Sequence, residues 1–331
     1  MKNTLLIIIF IIFFNGNAFP NEIYNGTFID AHSQVGKLIS NERVSRLIND
    51  NDVDITLLSI RGKFKTATQR YKSIQGLTLN KTRYLIPTKL KGFQRKNKSG
   101  DVAIKGIKIL KKQAIKNNIN YVGFGEIIVQ HAPHNHKKLK YEGINNDLKT
   151  DRILKAMDIV MKDNKPVILH VELNDYEKDS RKVLDQLVEL GKKYPNKIFL
   201  LMHMAQAEFS EAEFIINNTH NIHFITSHAD NERQKRIKKN PGRGQIGWIN
   251  LFDKKNNFKK KWFNLMNKNP KRFVLALDNV WDAHWIKGYG KRISIWRKAL
   301  ASLDKDSSIL IACGNANNYF KLGIKCLKDR K

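Results

Sequence analysis

The chain has 331 residues, 41% of them hydrophobic, which is enough to bury the core of one large domain. Lys and Arg number 60 against 30 Asp and Glu, a formal charge of +30. The Lys residues are spread over every predicted helix and not gathered on one face, so specific nucleic acid is not the expected partner.

Met1-Lys2-Asn3 gives a short positive start, Leu5 to Phe14 is an unbroken apolar run, and Gly16 and Ala18 fit a small-x-small cleavage site. That layout predicts a signal peptide over residues 1–18, cleaved after Ala18, and a periplasmic or secreted mature chain over 19–331. The apolar run falls short of the about 20 residues that a membrane-crossing helix needs, and no later stretch reaches that length, so no transmembrane span is expected after removal of the signal.

Beyond it, short apolar runs alternate with longer amphipathic ones, the pattern of repeated β-then-α units. Eight runs read as strands: Thr27–His32, Val53–Ile60, Arg83–Pro87, Tyr121–Ile128, Pro166–Val171, Lys197–His203, Ile222–Thr226 and Arg272–Asp278. They are rich in Ile, Leu, Val and Phe with little alternation, as strands buried on both faces are. Helices are expected at Asn41–Asp50 behind the N-cap Ser40, and at Asp101–Asn118, Asp147–Asp163, Asp179–Tyr194, Ser210–Asn217, Phe258–Asn267, Trp285–Ser302 and Asn317–Leu327. Eight βα units predict an α/β fold, a single-domain (β/α)8 TIM barrel. Ala229–Lys255 is the longest irregular stretch and is expected to loop over the barrel mouth. Cys313 lies in the apolar run Ile309–Ala312, where a buried free thiol is expected, and no bridge to Cys326 is predicted.

Polar residues collect at the C-terminal ends of the predicted strands. Asp30 and His32 end the first, Glu126 lies on the fourth, His170 ends the fifth, His203 the sixth and Asp278 the eighth. In a barrel those ends converge on the face where active sites sit. An imidazole or carboxylate directly after an apolar run is costly to bury unpaired, and a divalent ion removes that cost by accepting its lone pair. One such His has ordinary hydrogen-bonded explanations, but the set is hard to explain so when the whole chain holds 10 His. His131, His134 and His136 follow the fourth strand, and either an auxiliary metal or substrate-binding group or a solvated loop fits them; His131 is the one nearest the mouth. His228 follows the seventh strand and is a further candidate substrate-binding residue. His220 and His223 are expected to be structural. No Gly-x-Ser-x-Gly elbow and no phosphate-binding P-loop occur, and the Gly-rich residues 242–247 follow no strand directly.

Asp30-Ala31-His32-Ser33-Gln34 resembles the Asp-x-His-x-His opening of the amidohydrolase-related TIM-barrel metal-dependent hydrolases (amidohydrolase family 2), the branch that also holds aminocarboxymuconate-semialdehyde decarboxylase. Val167-Ile168-Leu169-His170, Leu201-Met202-His203-Met204, Lys271 to Asn279 and Gly314-Asn315-Ala316-Asn317-Asn318-Tyr319-Phe320 continue the likeness in order, over Thr27 to Leu322. The resemblance implies a divalent metal, zinc first with Mn or Fe as alternatives, held by His32, Gln34, Glu126, His170 and Asp278. It implies that Asp278 also accepts a proton from water, and that His203 polarises the substrate or binds a second ion. Gln34 stands where the family has its second His, and a neutral amide is a weaker ligand for zinc than imidazole. The implied activity is hydrolysis of an ester, amide, lactone or related bond in a small molecule. The alternatives are metal-dependent non-oxidative decarboxylation in the same site, a non-catalytic binding protein with a degraded site, and a basic module that adheres to an anionic polymer. A homodimer is expected from the same resemblance.

Overall fold

A computed structural model describes residues 23–61, 64–87, 101–132, 134–136, 139–141, 144–173, 180–232 and 249–327. The predicted signal peptide, the middle of the long loop after the seventh strand and the Gly-rich residues 242–247 lie outside them.

Eight strands form one parallel sheet in chain order. They are β1 (Ile29–Val35), β2 (Ile55–Ile60), β3 (Thr82–Pro87), β4 (Tyr121–Ile128), β5 (Val167–His170), β6 (Phe199–Leu201), β7 (Ile222–Ile225) and β8 (Phe273–Val274). Each corresponds to a predicted run. Their apolar side chains separate into two clusters. Ile29, Ala31, Ile55, Leu57, Ile168, Leu200 and Val274 form the smaller one, inside the barrel. Leu58, Ile60, Tyr84, Leu169, Phe199, Leu201 and Phe224 belong to the larger one, against the helices. With both faces buried, a strand needs no polar alternation, which is why the runs read as continuous. Backbone hydrogen bonds from Ala31 N to Leu275 O (3.0 Å), Asp278 N to His32 O (2.9 Å) and Gln34 N to Asn279 O (2.9 Å) bring the last strand's extension onto the first and nearly close the barrel.

The helices between and after the strands are α1 (Asn41–Asp50), α2 (Phe64–Leu77), α3 (Asp101–Lys116), α4 (Asp151–Met161), α5 (Ser180–Lys193), α6 (Phe209–Asn218), α7 (Lys260–Lys268) and α8 (Asp282–Ala301). In α1 the Ser40 side chain caps the first turn by accepting from Arg43 N, and Val44 and Ile48, one turn apart, face the core. Helix α2 has no counterpart among the predicted helices. Its buried stripe is Ala67, Thr68, Tyr71 and Ile74, short and partly polar, so the surrounding Lys, Gln and Arg hide the helical period.

The C-terminal run is helical from Lys305 to Phe320 with one π turn at Leu310–Gly314, and it plugs the N-terminal end of the barrel. Phe320 reaches in beside Gly123: a Cβ on that glycine would come within 2.9 Å of the Phe320 ring. Two expectations are corrected here. The predicted helix Asn317–Leu327 stops at Phe320, where Lys321 turns left-handed at φ 51°. Residues 322–327 are irregular, and their end is pinned by Thr27 N donating to Leu327 O (2.9 Å) and Leu327 N to Thr27 Oγ1 (2.8 Å). Cys313 is no free thiol but is disulfide-bonded to Cys326, their Cα atoms 5.7 Å apart. Cys313 is buried as expected, but the turn at Lys321 brings Cys326 back to it. Among the described residues no helix is long and apolar enough to cross a membrane.

Candidate metal centre

The centre lies at the C-terminal face of the barrel. The register of β1 against β2 shifts between Asp30 and Ser33. Without the shift, Ala31 and His32 would face opposite sides; with it, His32 and Gln34 both turn inward after Ile29 and Ala31. Asp30 turns to the seam instead: its carboxylate accepts from Ser33 Oγ (2.5 Å) and Leu277 N (2.8 Å). Burial, only partly offset by Ser33 and Leu277, pushes the Asp30 carboxyl up to about 6.

Asp278 is the hub. Its Oδ1 lies 3.1 Å from His32 Nδ1 and accepts from Gln34 Nε2 at 3.4 Å. Its Oδ2 lies 3.8 Å from His203 Nε2 and 3.7 Å from His228 Nδ1. Burial raises the Asp278 pKa, but His32 and His203 more than offset it, and the group is held below its ordinary range. The backbone here is left-handed, with φ 47° at Asp278, and is held from behind by Arg292. That guanidinium is buried and donates to Leu277 O (2.7 Å), His284 O (3.1 Å) and Asn279 Oδ1, while Asn279 Nδ2 donates to Ser33 Oγ (2.9 Å).

On the opposite wall, Glu126 Oε2 lies 3.0 Å from His170 Nδ1, and Glu126 Oε1 accepts from Gln34 Nε2 at 3.4 Å. Burial raises the Glu126 pKa, but His170 and His32 outweigh it and keep the carboxylate ionised. Gly125 packs against the Ile168 side chain and the His32 ring: a Cβ there would stand 3.0 Å from Ile168 Cδ1 and 3.4 Å from His32 Cδ2. His170 Nε2 faces Glu172 Oε1 at 2.7 Å. Burial alone would lower the His170 pKa; Glu126 and Glu172 reverse that and push it up to about 10.

His203 does not end a strand, as predicted, but sits in a left-handed turn after β6, with φ between 53° and 56° from His203 to Ala205. Left-handed backbone costs an L-residue roughly 1–2 kcal/mol, and His203, His228 (φ 58°) and Asp278 all adopt it at the centre. The His203 ring stacks on His228 with centroids 4.8 Å apart. Its Nδ1 lies 3.3 Å from the Ser227 carbonyl and 3.0 Å from Ser227 Oγ. A carbonyl only accepts, which favours the proton on Nδ1 and leaves Nε2 on the side toward Asp278. Burial, with His170 nearby, lowers the His203 pKa to about 4, so the ring is neutral at pH 7.

The structure therefore brings His32, Gln34, Glu126, His170, His203, His228 and Asp278 together. His131 lies on the far side of His170, stacked on it at 4.9 Å and 3.9 Å from Glu172. The backbone of His134–His136 pairs with Leu139–Tyr141, and the side chains of His134 and His136 lie outside the described residues. His223 is buried against Tyr319 at the barrel floor, and His220 is exposed and bonded to Pro195 O (2.9 Å). Two residues escaped the sequence reading. Glu172 follows His170 by two positions and so shares its face of the strand, a signal that was available. His284, in the first turn of α8, meets His228 edge-on at 5.5 Å and carries no local pattern of its own.

A metal ion fits this donor set. The Nε2 of His32 is buried with no hydrogen-bond partner while its Nδ1 stands 3.1 Å from Asp278 Oδ1, and an unsatisfied buried imidazole nitrogen is costly unless its lone pair is taken. The triads Glu126, His170, His203 and His203, His228, Asp278 each present ligand atoms within 4.8 Å of one another. Imidazole and carboxylate together suit zinc or another first-row divalent ion.

Fold and centre together define a (β/α)8 barrel with a buried histidine–carboxylate cluster at its C-terminal face. No family model matches the chain, and no curated protein does. Among solved structures it is similar to an uncharacterised TIM-barrel protein from Bordetella bronchiseptica (TM-score 0.54, 10% identity, covering 89% of this chain and 98% of that one). It is similar to an amidohydrolase from Burkholderia multivorans with bound zinc (0.53, 9%, 89% and 99%). It also resembles a mutant organophosphorus hydrolase from Deinococcus radiodurans (0.51, 9%, 91% and 94%). These likenesses establish the barrel fold.

Proposed function

We propose that this chain is an exported metal-dependent hydrolase of a small molecule, built on the amidohydrolase-type barrel. The observation that carries the reading is the buried cluster at the C-terminal face, where Glu126, His170 and His203 form one candidate ligand triad and His203, His228 and Asp278 a second, with His32 3.1 Å from Asp278. The likeness in fold to an amidohydrolase with bound zinc adds weight, and zinc is the first choice of ion.

His32, Glu126, His170 and Asp278 would hold the ion, with His203 and His228 bordering it. A bound ion would supply Lewis acidity and water of lowered pKa. Asp278 is the proton acceptor: it is ionised, and its Oδ2 faces inward between His203 and His228. His203 offers its Nε2 side to the reacting group, while Ser227 fixes the ring. Gln34, with its amide nitrogen toward Glu126 and Asp278, orients both carboxylates. The bond broken is an ester, amide, lactone or related one. Export is supported by the apolar run Leu5–Phe14 with Gly16 and Ala18, and by the Cys313–Cys326 bridge, since disulfides persist in oxidising compartments.

The test is elemental analysis of mature protein purified without chelator, followed by a panel of lactones, esters and amides with Zn, Mn or Fe added to stripped protein. Turnover that needs the ion and disappears in Asp278→Asn supports the proposal. Release of CO2 without water incorporation would assign decarboxylation instead. A folded wild type that cannot be loaded with any of the ions would end the metal reading.

A further inference from the structure

We propose that Glu172 is a positioning residue of this centre: it keeps the proton on His170 Nε2, so that Nδ1 is the nitrogen offered to an ion beside Glu126. The inference rests on the metal-centre reading and adds the carboxylate that orients its fifth-strand ligand.

His170 and Glu172 lie two residues apart where β5 ends, so both side chains leave the same face of the chain. Glu172 is fully buried, and both of its oxygens are engaged. Oε1 meets His170 Nε2 at 2.7 Å, and Oε2 accepts from the buried backbone N–H of Ala132 at 2.6 Å. The second bond prevents the carboxylate from swinging away. The His131 ring, stacked on His170 at 4.9 Å and only 20° from parallel, fixes the plane of the imidazole. The ring thus stands as a partition: Glu172 is on one side, and on the other Nδ1 faces Glu126 Oε2 at 3.0 Å, with Gln34 and Asp278 beyond. A carboxylate stands at each ring nitrogen, but Glu126 belongs to the candidate ligand set while Glu172 is tied back by Ala132 N, so an ion would take the place between Nδ1 and Glu126 and the Nε2 proton would stay on the Glu172 side.

Glu172→Gln tests this with little change of shape, because a carboxamide has one acceptor oxygen for the two donors, His170 Nε2–H and Ala132 N–H. Zinc affinity of the full mature chain would be measured by chelator competition for wild type, Glu172→Gln and the remote control Asp163→Asn, with melting of each metal-free protein. Glu172→Gln is expected to weaken zinc by about 10- to 100-fold, the usual effect of removing such a partner, while Asp163→Asn binds as wild type. Imidazole ¹⁵N spectra of zinc-loaded wild type are expected to show the proton on His170 Nε2 and the ion on Nδ1, a readout that does not depend on how any variant folds. Unchanged affinity in Glu172→Gln, an ion on Nε2, or loss of a second zinc equivalent held by His131, His170 and Glu172 would each overturn the inference and leave the hydrolase reading standing. A wild type that takes up no zinc, Mn or Fe would instead bring down that reading, and the role of Glu172 with it.

Discussion

His32 and Asp278 are joined twice across the seam of the barrel. Asp278 N donates to His32 O at 2.9 Å, and Asp278 Oδ1 lies 3.1 Å from His32 Nδ1. The backbone bond that brings the last strand's extension onto the first also sets the side-chain pair at the centre, so closure of the fold and assembly of the site are one event. Asp278→Asn keeps the shape and removes the charge. We expect it to fold, to lose most of its bound ion, and to lower kcat by about 10²- to 10⁴-fold, the range for a lost proton acceptor. Elemental analysis and turnover of an activated ester check both effects; full metal content with full activity would refute the assignment.

Gln34 points its amide nitrogen at Glu126 and Asp278, 3.4 Å from an oxygen of each. An imidazole in its place would offer a lone pair to the ion at the same depth, whereas the amide is neutral and a poor zinc ligand. Gln34→His is therefore expected to tighten zinc about tenfold or more, equivalent to about 1.4 kcal/mol. Competition with a metallochromic chelator reads this directly. A weaker affinity would mean that orienting the two carboxylates matters more than an added ligand.

The strands were legible because burial on both faces writes long apolar runs, and the centre was legible because polar residues interrupt those runs at one end. His32, His170 and Asp278 stood out for that reason. Glu172 was passed over although it follows His170 at the two-residue spacing that puts both on one face, because His170 already closes the apolar run and Glu172 lies beyond the strand's last residue. The turn that carries His203 could not be read either: left-handed backbone at His203, Met204 and Ala205 has no Gly or Asn to announce it. Tertiary contacts hold it, among them Leu173 N donating to Ala205 O at 2.9 Å and Ile249 N to Gln206 Oε1 at 2.8 Å.

Phe320 fills the barrel floor against Gly123. Phe320→Ala should cost about 3–5 kcal/mol, as large-to-small changes in a core do. Gly123→Ala should cost about 1–3 kcal/mol through overpacking. Denaturant melts would measure both. The two together should cost less than their sum, because the smaller residue at 320 makes room for the new methyl group.

The Cys313–Cys326 bridge closes a loop across 13 positions and ties the irregular tail to the plug. Replacing both cysteines by Ser is expected to destabilise the protein by about 2–4 kcal/mol. Melting with and without reductant checks this: the reductant should lower the wild-type midpoint and leave the double variant unmoved.

His223 gives a prediction about pH at a site remote from the centre. Burial, with Arg272 nearby, lowers its pKa to about 3, and its Nδ1 faces the Tyr319 hydroxyl at 3.2 Å. In the unfolded chain the ring titrates near its ordinary 6.5. Between those values the unfolded state binds the extra proton, so stability falls as the pH drops from about 6.5 toward 3. His223→Phe keeps a flat ring on Tyr319 but cannot titrate. The variant should be less stable than wild type at pH 8, where it loses only the hydrogen bond. Its deficit should shrink and then reverse as the pH is lowered through the window. Paired thermal melts at pH 8, 6, 5 and 4 track the difference, which cancels the groups common to both proteins. A constant offset across that range would mean that His223 is already protonated in the fold or that its burial costs the charge little.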